Sequence, residues 1–153
     1  KEKRGKKMRE QHMRMKEKIV LRVIARSVLP FILLFALYVQ FHGDYGPGGG
    51  FQAGVIFSAG FILYGLIFGM KRLEKVLPWS VVERGAAVGL LLYGGVGVVA
   101  MLMQGHYLDY RVLQHDPQHG LHLGILLVEL GVGITVTMAM LTIFYAFAER
   151  KEA

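Results

Sequence analysis

FQAGVIFSAGFILYGLIFGM, residues 51–70, is a run of twenty residues with no charge before Lys71. A helix rises about 1.5 Å per residue and bilayer hydrocarbon is about 30 Å thick, so a run of this length suits one crossing. Working outward, three more runs qualify. One spans about Val23 to Phe41, with Arg22 and Arg26 at its start, close enough to snorkel to the interface. Another, about Gly85 to Gln104, is uncharged throughout. The last, about Leu121 to Phe147, is long enough to tilt and is interrupted by one acid, Glu129. A chain of 153 residues would suit one soluble domain, but such a domain would not carry apolar runs this long. The expected fold is all-α: an integral membrane protein of four transmembrane helices (residues 19–153) behind a basic arm (residues 1–18).

The distribution of basic residues predicts the orientation. Lys and Arg in short loops stay on the cytoplasmic side. Eleven lie at or before Arg26, and none lies in the link His42 to Gly50. Four follow the second run (Lys71, Arg72, Lys75 and Arg84), one, Arg111, follows the third, and Arg150 and Lys151 close the chain. Cytoplasmic N and C termini therefore put seventeen of eighteen on one side. The net charge of +7 arises mainly in Lys1–Lys18, where nine Lys/Arg face three Glu. Beside an apolar run, that arm suits anionic headgroups better than nucleic acid, and no nucleic-acid partner is expected.

The chain has no cysteine, which excludes a disulfide framework, a thiolate metal site and a cysteine nucleophile. No short apolar core with a small-residue cleavage site appears, so no removable signal peptide is expected. Gly65 and Gly69 are four apart, as are Gly85 and Gly89, with Gly94, Gly95 and Gly97 following. Small residues at this spacing let helices approach closely in lipid, although glycine is common in membrane helices anyway.

The segment Phe41-His42-Gly43-Asp44-Tyr45-Gly46-Pro47-Gly48-Gly49-Gly50-Phe51 stands apart from the rest. It lacks the Gly-Lys-Ser/Thr ending of a phosphate-binding loop and follows no strand, which argues against nucleotide binding. Two readings remain open. Pro47 can occupy the first turn of the second helix, with Asp44 upstream to accept from free N–H groups. The three glycines would then leave backbone that another helix, or water and an ion, could reach. Alternatively, the segment is a tight hairpin that needs glycine torsions.

With Pro-Gly-Gly-Gly-Phe at its centre and Gln52-Ala53-Gly54 after it, the run His42 to Gly54 resembles the B-type subunit of Mrp-type multisubunit Na+/H+ antiporters, the MnhB family. Leu29-Pro30-Phe31 through Tyr38 looks like that family's first helix, and the resemblance extends from about Ile19 to Phe147. It implies an obligate subunit of a Na+ (or K+)/H+ exchanging complex in a prokaryotic inner membrane, with the other antiporter subunits as partners. It also implies that Pro47 and Phe51 are tied to antiport. Many members carry Gly-His and an uncharged residue before the proline; here His42-Gly43-Asp44-Tyr45-Gly46 stands instead, so no family role carries over to Asp44, and Asp44 and His42 are secondary candidates beside the motif Pro47, Gly48, Gly49, Gly50 and Phe51. Related subunits occur in membrane-bound hydrogenases, which keeps a redox-driven complex open beside a structural scaffold or a self-sufficient carrier.

Glu129 lies eight positions after Leu121, roughly 12 Å along the last helix. A charge at membrane depth costs at least about 2.5 kcal/mol on insertion scales, so such an acid is paired, neutralised or functional. His122, seven positions earlier, shares its face. A proton carrier or dehydrated cation site stands against a carboxyl that only fastens an interface. His115, His119 and His122 beside Asp116 have metal-like spacing, but with Pro117 among them they read better as a polar interfacial loop, and no metal is expected. Thr135, Thr137 and Thr142 are expected to bond back to their own helix. No nucleophile–base pair, redox ligand set or cofactor motif appears, so a non-enzymatic protein without cofactor is expected.

Overall fold

The computed structural model describes residues 2–43, 46–114 and 116–149, with side chains from 19 to 148. All its regular structure is helical: α1 (Glu2–His42), α2 (Gly50–Phe68), α3 (Met70–Val76), α4 (Trp79–Leu102), a short 3-10 helix (Tyr110–Leu113) and α5 (Pro117–Glu149). Among the described residues, four stretches are long and apolar enough to cross a bilayer: Ile19–His42, Gly50–Phe68, Trp79–Leu102 and Pro117–Ala148. In space, α1 packs on α2, α2 on α5, and α5 on α4.

Helix boundaries differ from the sequence reading for identifiable reasons. The second crossing ends at Phe68, because Gly69 adopts φ +96° and starts a separate short helix. Open space surrounds the position where a side chain at Gly69 would sit, so torsion, not crowding, calls for glycine there. In α3, Leu73 is buried while Lys71, Arg72, Glu74 and Lys75 are exposed, the pattern of a helix lying along an interface. The third crossing begins at Trp79, not Gly85, since Pro78 adopts an extended conformation and its carbonyl accepts from Val81 and Val82. Exposed Glu83 and Arg84 lie inside the helix, so charge marks the edge of hydrocarbon, not the end of the element.

The fourth crossing begins at Pro117, where a proline in the first turn loses no hydrogen bond. Asp116 caps it: Gln118 N–H donates to Oδ1 at 3.0 Å, and His119 Nδ1 lies 2.7 Å from Oδ2. The residues after Pro117, expected as a polar loop, are therefore helical, while His115 lies outside the described residues.

At the end of the bundle holding α3, Leu73, Leu77, Val82, Leu141 and Tyr145 form a buried cluster, and Tyr145 Oη donates to the Leu77 carbonyl at 2.6 Å. Elsewhere α5 packs through small residues. A methyl on Gly54 would fall 2.7 Å from the Gly133 carbonyl, and one on Gly131 would fall 2.9 Å from the Gly89 carbonyl. Of the glycines at four-residue spacing, Gly65, Gly85 and Gly89 sit at such contacts, whereas Gly69 does not.

Candidate functional site: a carboxylate in a glycine cradle

The turn between α1 and α2 folds back onto its own flanks. Gly46 N–H donates to the His42 carbonyl and Gly49 N–H to the Val39 carbonyl, each at 3.2 Å, so two of the last carbonyls of α1 find partners. Gly49 has φ +113° and ψ 177°, a conformation close to glycine-only, and α2 can begin only after it. Pro47 therefore lies three residues ahead of the helix, exposed, and not within its first turn. Asp44 lies outside the described residues.

This turn surrounds the side chain of Glu129. A methyl group on Gly43 would fall 2.6 Å from Glu129 Oε2 and 2.7 Å from Oε1, and one on Gly49 would fall 2.9 Å from Oε1. A methyl on Gly50 would collide with the Glu129 carbonyl oxygen. Only residues without side chains let α2, α5 and the turn close around this half-buried carboxylate. It lies at the N-terminal end of α2, where first-turn N–H groups have no acceptor within the helix and the helix dipole is positive. Glu129 and the start of α2 thus share one level of the bundle.

The structure divides the residues singled out from the sequence. Gly49, Gly50 and Glu129 come together, and Gly48 lies against the Val39 carbonyl. His42 is half-buried, its ring stacked on Tyr38 at 5.0 Å and beneath Gly46. Phe51, 61% exposed, turns away from the cradle, and His122 is exposed further toward the start of α5.

Two participants escaped the sequence reading. Gly43 completes the cradle. Gln40, only 4% exposed inside a membrane-length helix, places its amide oxygen against Gly133, one turn beyond Glu129. Its side-chain NH2 has no acceptor among the described residues. Gln40 also lines a cavity of about 250 Å³ with Phe41, Phe57, Leu130, Gly133 and Thr137. Thr137 bonds back to the Gly133 carbonyl at 2.7 Å, as expected, and also reaches the Gly54 carbonyl of α2 at 3.2 Å. Thr135 and Thr142 bond within α5. The signal available for Gln40 was one amide within the apolar stretch Leu37 to Phe41.

Four crossings with irregular backbone folded around an acid define a polytopic, all-helical membrane protein. The chain belongs to the MnhB family: residues 20–142 match the family described as "Domain related to MnhB subunit of Na+/H+ antiporter". It is similar to the mnhB2 protein of Staphylococcus haemolyticus, named as an antiporter subunit, with 35% identity over 136 residues, 87% of this chain and 96% of that one. It is also similar to the B-type subunit of the Na+/H+ antiporter of Alkalihalophilus pseudofirmus, with 30% identity over 132 residues, 80% of this chain and 91% of that one.

Proposed function

We propose that this chain is the B-type component of a multisubunit Na+/H+ antiporter in a prokaryotic plasma membrane, with both termini cytoplasmic, and that Glu129 is an ionisable station of its ion route. The observation that carries the role of Glu129 is the enclosure of its carboxylate by Gly43, Gly49 and Gly50 at the positive end of α2. Backbone dipoles fixed around an acid supply polar surroundings that need little rearrangement as a proton or dehydrated cation arrives and leaves. Exposed Pro47 and Phe51 flank the cradle from outside and are suited to contact a neighbouring subunit, which would carry the route onward.

The test is Glu129→Gln, close in shape but unable to ionise, in the complete complex assayed for cation-driven proton exchange in everted vesicles. Loss of exchange with full assembly supports the reading. Unchanged exchange makes the chain a scaffold at this position. Labelling of the basic arm by impermeant reagents on intact cells would overturn the orientation.

A further inference from the structure

At the α3 end of the bundle, a groove of about 350 Å³ runs between α1 and α2. Arg26 and Arg72 line it together with Leu29, Leu33, Tyr64 and Phe68. The Arg26 guanidinium lies 5.6 Å from the centroid of the Phe68 ring, at the last residue of α2. Neither arginine has a carboxylate partner among the described residues. Both side chains are exposed, so the groove presents two guanidinium charges without a described carboxylate partner, a field that attracts an anion.

We infer that this groove binds one anionic phospholipid, its phosphate between Arg26 and Arg72 and an acyl chain along Leu29, Leu33 and Tyr64. Arginine presents a planar donor fork that matches phosphate oxygens. Arg26, exposed at the start of the first crossing, lies level with Phe68, the last residue of the second, so its guanidinium stands at the interface, where it can take an anionic partner. A phosphodiester at the level of Gly69, where α2 gives way to α3, supplies that partner. Leu33 lies about 10 Å further along α1 from Arg26, and exposed Phe31 and Leu34 carry the apolar surface on toward the lipid. A free phosphate would leave the apolar wall unfilled, so both halves of the groove fit a molecule with an anionic head and a hydrocarbon tail. The inference is independent of the role given to Glu129.

The test uses the full chain with its co-purifying subunits in nanodiscs of phosphatidylcholine and phosphatidylglycerol, reading retained lipid by native mass spectrometry after mild detergent extraction. Arg26→Gln or Arg72→Gln should each reduce retained phosphatidylglycerol about fivefold, and both together roughly 30-fold, with phosphatidylcholine unchanged. Leu33→Trp, which keeps both arginines but fills the groove, should also reduce it, and the Arg26→Lys, Arg72→Lys pair should retain an intermediate amount. Unchanged retention in the glutamine pair overturns the proposal, as does displacement by inorganic phosphate with no effect of Leu33→Trp, which marks a free-phosphate site. Retention only after the neighbouring subunits are stripped away overturns it too, because a protein then fills the groove. If the glutamine pair does not fold, Leu33→Trp decides: undiminished retention rejects the lipid.

Discussion

The carboxylate of Glu129 lies so close to Gly43 that one added methyl group there would fall 2.6 Å from Oε2. Residues far apart in sequence, at the end of one membrane helix and within another, therefore hold each other in place. Gly43→Ala should displace the carboxylate at an overpacking cost of about 1–3 kcal/mol. Gly49→Ala should cost more, because alanine must also adopt φ +113°. Thermal unfolding of the purified complex should rank them in that order, with cation/proton exchange lowered in both.

Gln40→Leu removes a buried amide whose NH2 lacks an acceptor among the described residues. An unsatisfied buried donor costs about 1–3 kcal/mol, so the variant should be at least as thermostable as the parent. If the amide serves transport through the adjacent cavity, exchange should fall while stability holds. A lower melting temperature would mean that Gln40 is satisfied in the assembled protein.

Pro47→Ala and Phe51→Ala alter exposed side chains of the folded chain. Their effect on the stability of the isolated subunit should stay within about 0.5 kcal/mol. Exchange by the assembled complex should nonetheless fall, and comparing chain and complex in parallel separates the two effects. Failure to co-purify with other subunits would make these residues assembly contacts instead.

The Asp116 carboxyl is held below its ordinary value near 3.8, first by the Gln118 N–H and then by His119. A depressed value in the folded state means that the contribution to stability is present above the ordinary value and is lost as pH falls through the folded one. Hydrogen exchange at Gln118 should therefore lose protection on acidification below about pH 4, while protection at the centre of α5 is kept. Asp116→Asn, which retains a capping oxygen, should flatten this dependence.

The crossings were legible because twenty residues without a charge, such as Phe51 to Met70, match the thickness of hydrocarbon and suit little else. Their ends were less so. Glu83 and Arg84 concealed two turns of α4, and Pro117 read as a loop former where it starts a helix. The glycine turn and Glu129 were each visible, but not their contact, since helical periodicity does not say which faces of distant helices meet. Gly65 and Gly69 showed the opposite hazard: with identical spacing to a packing pair, one packs and the other supplies a bend.

The spatial order α1, α2, α5, α4 makes the protein a file of helices instead of a ring. A ring encloses an axis and could sheathe a private conduit; a file has two broad flanks and no lumen. Any passage for a hydrated ion along this protein needs a second wall from a different polypeptide, so mutations on either flank should be rescued by compensating changes in a neighbour.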